Sequence, residues 1–178
     1  MKTAHYLLAL IAGALVLNGC KRSEPTPRQI FPSYYTLAYE EIYGHCYDSI
    51  AQAVVALDLY SDGITLSKDH TIQGTGYNLY LSDVFVPDSL LEEGTYHSAS
   101  TGEPFTFLPG QDFEGYPNGM YILHIENNLV TSIQVLDSGS FVYSGDSLRF
   151  TLYYRNAEGI TQTYQPRFEG TLIPWPKH

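Results

Sequence analysis

Basic side chains are scarce in this sequence, and their scarcity argues against one class of partner. The 178 residues include 9 Lys+Arg against 19 Asp+Glu, so the formal net charge is −10 at pH 7. A protein that binds nucleic acid needs a clustered basic face to contact the phosphates. The composition therefore predicts no nucleic-acid partner.

Cysteine and long apolar runs are also limited. Two Cys are too few for a disulfide-stapled scaffold or for a four-thiolate zinc site. The apolar run over residues 6–17 is shorter than the ~20 residues that a transmembrane helix needs. Charged residues make up only 16% of the chain while aromatic residues reach 14%, so we expect one folded domain with a substantial core.

The N-terminus has the pattern of an export signal. A basic residue, Lys2, precedes the apolar run, as in a secretory signal peptide. The run ends at Leu17-Asn18-Gly19-Cys20, which resembles the lipobox of bacterial lipoproteins, where the Cys is lipidated after cleavage. An ordinary secretory signal followed by a chance Cys is the alternative interpretation. We predict that Cys20 carries a lipid anchor.

The rest of the chain divides into a tether and a domain. Residues 1–19 are the predicted lipoprotein signal peptide, residues 20–33 a flexible tether of polar residues and prolines, and residues 34–178 the folded domain. With Cys20 lipidated, Cys46 has no intramolecular partner. We expect Cys46 to be buried as a small apolar side chain, with an intermolecular disulfide or a reactive thiol as alternatives.

Apolar residues recur with period two along the predicted domain, as they do in β-strands. In residues 148–155, for example, every second side chain faces one way and is apolar or aromatic. Turn sequences such as Asn127-Asn128 separate these runs at roughly ten-residue intervals. We therefore predict an all-β fold, a single antiparallel β-sandwich or β-barrel of roughly eight to ten short strands. The helical piece that the sequence favours is one turn at residues 88–93.

Several strand-and-turn segments share the pattern of a known group of exported proteins. They are residues 77–81, 93–96, 104–110, 139–143 and 168–172. In these segments the chain resembles small all-β secreted lipoproteins of gut Bacteroidales, whose functions are largely uncharacterised. The resemblance implies an exported domain on a lipid anchor and implies no activity. The acidic export tag frequent in that group is replaced here by residues 21–24, so either the cell surface or the periplasmic face of the outer membrane is expected.

One motif invites an enzymatic interpretation. Gly145-Asp146-Ser147-Leu148 spells the signature of the GDSL esterases, whose Ser is a nucleophile. In that family a helix follows the motif and a catalytic His lies far downstream. Here the following residues alternate as a strand, and the downstream His is His178. Because no general base can be placed for Ser147, a hairpin turn is the favoured interpretation.

Other catalytic and metal-binding patterns are weak. Glu40 and Glu41 are adjacent, so on a strand they point to opposite faces and cannot converge as the carboxyl pair of a glycosidase. No two histidines of the mature chain lie within five residues of each other, which leaves no local metal-ligand spacing. Residues 58–63 lack the alternating ligands of a calcium loop. We predict no catalytic residues, no metal and no cofactor.

Acids and exposed aromatic residues suggest where recognition occurs. Between Lys68 and Arg149 the chain has no Lys or Arg but 11 acids over 80 residues, which indicates either a solvated surface or a face for a cationic partner. The Gly/Pro-rich segment 109–119 carries Phe113 and Tyr116 beside acids and amides, and Trp175 lies between two prolines. Flat rings beside hydrogen-bonding groups suit a sugar, so these three rings are the candidate binding surface. The alternative is that they cover the ends of the core.

These observations predict a non-enzymatic binding or accessory module, anchored to the membrane through its lipid, with a glycan, a peptide or an envelope protein as ligand. A pilin-like or adhesin structural subunit is the alternative, and it predicts an incomplete sheet that accepts a donor strand. A small hydrolase that uses dispersed carboxylates is the third candidate, and it requires two acids that converge in a cleft.

Overall fold

A computed structural model of the chain describes residues 30–48 and 50–175. Within these ranges the chain forms β-strands, turns and irregular segments, and no helix. No described segment is therefore a helix able to cross a membrane. The prediction of an all-β domain is confirmed. The predicted signal peptide and Cys20 lie outside the described residues.

The strands are short and numerous. In chain order they are β1 (Tyr34–Tyr35), β2 (Leu37–Gly44), β3 (Ala53–Tyr60), β4 (Ile64–Leu66), β5 (Ile72–Gly74), β6 (Gly76–Val86), β7 (Gly94–Ser98), β8 (Thr106–Phe107), β9 (Gln111–Phe113), β10 (Tyr116–Asn118), β11 (Met120–Glu126), β12 (Leu129–Val135), β13 (Ser138–Tyr143), β14 (Ser147–Arg155), β15 (Thr161–Tyr164), β16 (Arg167–Glu169) and β17 (Ile173–Pro174). The predicted number of roughly eight to ten strands was too low, because strands of two or three residues have no alternation that a sequence pattern reveals.

Thirteen of these strands form one curled sheet, a half-barrel, and two small two-stranded sheets flank it. The main path runs β1-β16-β14-β13-β7-β8-β6-β3-β2-β17. The eleven-residue β6 organises the sheet, because it pairs with β3 along one edge and with β11 and then β8 along the other. The pairing is mostly antiparallel, with parallel contacts at β1–β16, β7–β8 and β17–β2.

The core lies against one face of β2, β3, β6 and β11. The register aligns Ala38, Leu59, Leu79 and Ile122 across these four strands, and all four side chains are buried. Aromatic side chains from β7, β8, β13 and β14 join the same cluster: Tyr96, Phe107, Phe141 and Phe150. Full burial of a Leu, Ile or Phe side chain contributes about 1.5–3 kcal/mol relative to exposure. This face therefore supplies most of the apolar stabilisation of the domain.

Turn chemistry behaves as the sequence indicates. Asn127 and Asn128 take φ angles of +50° and +71° and join β11 to β12 in a tight hairpin. The esterase-like motif lies at the turn from β13 to β14, where Gly145 has a φ of +73°. The Oγ of Ser147 is 2.7 Å from the Oγ of Ser144 across this turn. The hairpin interpretation of the motif is confirmed.

The helical turn predicted at residues 88–93 is wrong. The segment bends from β6 to β7 without forming a helix. The Leu91 N–H donates to Oε1 of Glu40 over 2.6 Å, and the Tyr96 hydroxyl donates to the Glu92 carbonyl over 3.0 Å. Side chains from neighbouring strands thus occupy backbone groups that a helical turn would pair.

The folded unit begins at Phe31, within the segment that the sequence assigns to the tether. The Phe31 ring packs against Tyr154 and Tyr77, with centroid distances of 5.2 and 6.0 Å. The Tyr164 hydroxyl donates to the Pro32 carbonyl over 2.7 Å. The last residues of the predicted tether therefore contact the domain.

Candidate binding site

The four central strands have a second face, opposite the core, that is rich in tyrosine. The register aligns Tyr39 with Asp58, Asp58 with Tyr80, and Tyr80 with Tyr121 across β2, β3, β6 and β11. Because successive side chains of a strand point to opposite sides, this row faces away from the buried apolar row. We call this surface the tyrosine face; its members are Tyr39, Glu41, Tyr43, Asp58, Tyr60, Tyr80 and Tyr121. Among them Tyr60 is buried, in a small second cluster with Ile64 and Ile125.

Asp58 lies at the centre of the tyrosine face. Its Oδ1 accepts hydrogen bonds from Nδ2 of Asn78 over 3.0 Å and from the Tyr60 hydroxyl over 3.3 Å. Burial raises the pKa of Asp58 to about 6, and the nearby Glu41 carboxylate adds to the rise while the two hydrogen bonds oppose it. Asp58 therefore changes its charge at about pH 6, beside its cross-strand neighbours Tyr39 and Tyr80.

Trp175 extends the tyrosine face at the β17 edge. Its ring contacts Tyr39 edge-on at a centroid distance of 5.1 Å and lies 4.7 Å from the His70 ring. Tyr39 in turn packs against Tyr60 at 6.1 Å. The backbone N–H of Trp175 donates to the Glu40 carbonyl over 2.8 Å, which holds the last described residue beside β2. One of the three rings that the sequence indicated thus belongs to this surface.

The other two rings, Phe113 and Tyr116, are placed elsewhere. They lie opposite each other on the β9–β10 hairpin and are 54% and 78% exposed. The turn between them is built by Glu114 and Gly115, which have φ angles of +53° and +89°. Trp175 directly follows a strand of the large sheet, whereas this hairpin is a separate small sheet. No ring contact among the described residues joins Trp175 to either hairpin ring.

A cavity lies beside the tyrosine face, between the middle of β6 and the end of β2 with the loop that follows it. It has a volume of about 330 Å³, and we call it the tyrosine pocket; its lining residues are Tyr43, Cys46, Tyr47, Tyr80, Ser82 and Asp83. The Tyr47 hydroxyl donates to Oδ1 of Asp83 over 2.5 Å, and the Ser82 hydroxyl donates to Oδ2 over 2.5 Å. The hydrogen bond to Asp83 is the largest of the effects that raise the pKa of Tyr47 to about 12, and burial is the second largest. This phenol therefore stays protonated at neutral pH.

The tyrosine hydroxyls on the other wall of the pocket are also engaged. The Tyr43 hydroxyl donates to Oε2 of Glu41 over 2.8 Å and lies 3.5 Å from the Tyr80 hydroxyl. Burial raises the pKa of Tyr43 to about 12. The Tyr80 ring packs against Tyr121 at a centroid distance of 5.1 Å. The wall is thus held by contacts between neighbouring side chains.

Cys46 is exposed in this pocket, so the expectation that it is buried was wrong. It lies in the loop that follows β2, just beyond Gly44, whose φ is +67°. In this loop Tyr47 packs against Phe85, with a centroid distance of 6.4 Å, and Cys46 is left facing solvent. Tyr47 is itself 41% exposed, so this loop places neither side chain in the core.

The acids of this region have no basic partner among the described residues. The ion pairs within residues 30–48 and 50–175 are His124–Glu126, Arg155–Asp137 and Arg167–Glu169. Glu41, Asp58 and Asp83 are absent from them, although each of these carboxylates accepts a hydrogen bond from a tyrosine hydroxyl. In the described part of the chain, no three His, Cys, Asp or Glu side chains are grouped as metal ligands. The region therefore offers aromatic rings and unneutralised carboxylates.

Most residues of this site differ from those that the sequence predicts, because exposed rings were expected on loops. The available signal was a period-two pattern of Tyr and acids in Tyr39, Glu41 and Tyr43, continued by Asp58 and Tyr60. Such a pattern marks one face of a strand. It does not show that the strands are neighbours, which requires the sheet order.

Comparisons with known proteins identify no relative. No family model matches the chain, and neither a curated protein nor a solved structure matches it. The tyrosine face and the tyrosine pocket are therefore the features that bear on function. Their geometry suits binding, because it combines ring surfaces with hydrogen-bonding groups at a solvent-accessible site.

Proposed function

We propose that this chain is a non-enzymatic binding module of the cell envelope and that the tyrosine face, with Trp175 at its edge, is its ligand surface. The row formed by Tyr39, Asp58, Tyr80 and Tyr121 carries the proposal. Tyrosine combines an apolar ring with a polar tip and loses little conformational entropy when it binds, so clustered tyrosines favour recognition. The ligand class is a glycan, a peptide or another envelope protein.

The proposed location is the outer membrane, through a lipid on Cys20, on its cell-surface or periplasmic face. The signal-peptide pattern, the lipobox-like residues before Cys20 and the likeness to Bacteroidales lipoproteins support this location. Expression of Cys20→Ala in a Gram-negative host tests it, because the variant should leave the membrane fraction. Cys46→Ala is the matched control and should stay with the membrane. Equal membrane retention of both variants would contradict the anchor.

A glycan array and an envelope pull-down test the binding surface directly. Wild type is compared with Tyr80→Ala and Trp175→Ala on the tyrosine face, and with Phe113→Ala and Tyr116→Ala on the hairpin. We expect the first pair to reduce retention of a ligand and the second pair to leave it unchanged. The reverse pattern would move the site to the hairpin, and equal retention by all four variants would exclude both surfaces.

The structural-subunit alternative has one specific observation in its favour. Among the described residues, β12 pairs only with β11, and Leu129, Val130 and Ile133 on it are 70%, 51% and 44% exposed. An edge strand with free backbone groups and apolar side chains is suited to strand addition. Light scattering over a range of protein concentrations tests this. Assembly that Ile133→Lys abolishes would favour a subunit, and a monomer at every concentration would count against it.

The hydrolase alternative would use Glu41 and Asp58, which share the tyrosine face. Oδ1 of Asp58 is already occupied by Asn78 and Tyr60, an arrangement that holds the carboxyl group in place. Chromatography of any glycan retained on the array separates the two functions. Intact glycan supports binding, whereas cleavage products that Asp58→Asn prevents would support hydrolysis.

A further inference from the structure

The tyrosine pocket has the size of a site for one small group. Ligand sites in proteins usually occupy about 300–1,000 Å³, and this pocket, at about 330 Å³, lies at the lower limit. A side-chain-sized group fits such a volume, whereas an oligosaccharide would extend well beyond it. The pocket also adjoins the larger tyrosine face through Tyr43 and Tyr80, which line both.

The hydrogen bonds inside the pocket determine which groups remain free for a ligand. The protons of the Tyr47 and Ser82 hydroxyls are directed to Asp83, and the proton of Tyr43 is directed to Glu41. With that proton engaged, the Tyr80 hydroxyl is the donor to Tyr43 across 3.5 Å. The polar side chains of the pocket therefore present acceptor oxygens and few free donors. A ligand that carries donors and no acceptors is complementary to them.

The aromatic walls of the pocket also favour a cationic ligand. Tyr43 and Tyr47 are 45% and 41% exposed, so part of each ring is accessible from solvent. A cation within about 6 Å of a tyrosine ring centroid is attracted by the negative ring face. A neutral sugar would also stack on these rings, but its hydroxyl groups need donors as well as acceptors. An anion would meet both the ring faces and the carboxylates with unfavourable charge.

The carboxylates at and beside the pocket give it a negative charge, and they have no basic partner among the described residues. Among the described residues, Glu41 and Asp83 form no ion pair with Lys, Arg or His. Asp83 also lies in the stretch between Lys68 and Arg149 that contains no Lys or Arg. An organic cation would therefore supply the positive charge that the chain itself does not place here.

We propose that the tyrosine pocket binds a primary ammonium or guanidinium group between the rings of Tyr43, Tyr47 and Tyr80, with Asp83 as its main anionic partner. The proposal rests on the proposed binding function and specifies the chemistry of its ligand. Such a group is carried either by a Lys or Arg side chain of a peptide or by a free amine. Both sources present the same donors to the pocket.

Calorimetric titration of the purified full chain tests this proposal. The probes are the peptide Gly-Lys-Gly with blocked termini, its isostere Gly-norleucine-Gly, the diamine 1,5-diaminopentane and N-acetylglucosamine. We expect the lysine peptide or the diamine to bind at least about fivefold more tightly than the norleucine peptide and the sugar. Binding should weaken as salt is raised. The peptide alone indicates a protein source, and the diamine alone indicates a free amine.

Two pairs of variants link the binding to this pocket. Asp83→Asn is compared with Asp88→Asn, which removes the same charge from an exposed loop. We expect about fivefold or greater loss of amine affinity for Asp83→Asn and an unchanged affinity for Asp88→Asn. Tyr47→Leu should lose affinity, whereas Tyr47→Phe keeps the ring and should retain it. Circular dichroism melts confirm that each variant is folded.

The proposal would be overturned if neither the lysine peptide nor the diamine binds more tightly than the norleucine peptide, or if the two aspartate substitutions have equal effects. The array and pull-down distinguish this failure from that of the broader function. If tyrosine-face variants still lose a ligand there while amines do not bind the pocket, only the cation site is wrong. If neither assay detects dependence on these residues, the binding function fails as well.

Discussion

The same four strands present two faces that differ completely in chemistry. On one face Ala38, Leu59, Leu79 and Ile122 form a dry apolar row. On the other, one residue along each strand, Tyr39, Asp58, Tyr80 and Tyr121 form a row of rings around a carboxyl group. Because the two rows share strands and backbone pairing, their difference comes from side chains alone. The comparison separates what holds the fold together from what the fold displays.

The two faces also treat polar groups differently. The side chains of the apolar row contain no hydrogen-bonding groups. Their contribution to stability therefore comes from the apolar area that folding removes from water. The tyrosine face keeps a carboxyl group partly buried and surrounds it with donors, an arrangement whose stability depends on protonation. Substitutions on the two faces should therefore differ in size and in their response to pH.

Removing volume from the apolar face should have the largest effect. Leu79 is completely buried in the middle of β6, so Leu79→Ala leaves a cavity and should lower the free energy of unfolding by about 2–5 kcal/mol. Its neighbour on the opposite face provides the comparison. Tyr80→Phe removes one hydroxyl at 3.5 Å from Tyr43 and should cost less than about 1 kcal/mol. Urea denaturation measures both, and equal losses would contradict the division between the faces.

The carboxyl group on the tyrosine face should make stability depend on pH. The pKa of Asp58 is raised from 3.8 to about 6, so the folded state favours the neutral acid. Its contribution to stability is full below the unfolded pKa and is lost as pH rises through about 6, a change of about 2–3 kcal/mol. Asp58→Asn keeps an acceptor for Asn78 but cannot ionise.

The measurement is urea denaturation of Asp58→Asn and wild type between about pH 4 and pH 8. The stability of the variant relative to wild type should increase from about pH 4 to about pH 6 and level off above about pH 7. Burial also raises the pKa of Glu40, so ionisation of Glu40 lowers the free energy of unfolding as pH rises. This effect is the same in both proteins. The difference between them therefore isolates Asp58. A difference that is constant with pH would show that the raised pKa is absent.

Glu40 and Glu41 compare the two faces at adjacent positions. Glu40 points inward, is buried and accepts the Leu91 N–H, so Glu40→Ala leaves that donor unpaired and should cost about 1–3 kcal/mol. Glu41 points outward to Tyr43, and Glu41→Ala should cost less than about 1 kcal/mol. Thermal melts rank the two variants. Glu40→Gln retains an acceptor and should recover most of the loss, and failure to recover it would count against the hydrogen bond.

The smallest effect is expected outside both faces, on the β9–β10 hairpin. Phe113 and Tyr116 are mostly exposed, so Phe113→Ala and Tyr116→Ala should change the free energy of unfolding by less than about 0.5 kcal/mol. Chemical denaturation of the two variants checks this. A loss above about 1 kcal/mol would mean that these rings stabilise the domain, as the alternative interpretation of the sequence holds.

Local pattern was enough to predict much of the fold. The alternating residues 148–155 form β14. Buried and exposed side chains alternate along it from Leu148 to Arg155, except that Thr151 is half-buried. The Asn127-Asn128 turn and the turn at Gly145 formed where the sequence indicates. These features depend on a few neighbouring residues, so a single stretch of sequence carries the information.

Long-range contacts decided the features that local pattern missed. Residues 88–93 avoid a helix because Glu40, about fifty residues away, accepts a backbone N–H there. Cys46 lies exposed in a pocket with Tyr43 of β2 and Tyr80 of β6, two strands that are brought together by pairing with β3. Trp175 contacts Tyr39 because β17, which is late in the sequence, pairs with β2, which is early in the sequence.

The sequence by itself determined the class of fold, the alternation of side chains along each strand and the acidic character of the chain, because these depend on composition and on near neighbours. The tertiary structure decided which strands are adjacent and in what register. That choice placed Asp58 among tyrosines from four strands and put Tyr43, Tyr47 and Tyr80 around one pocket with Asp83. A binding site assembled across strands is a property of sheet order, which no single stretch of residues contains.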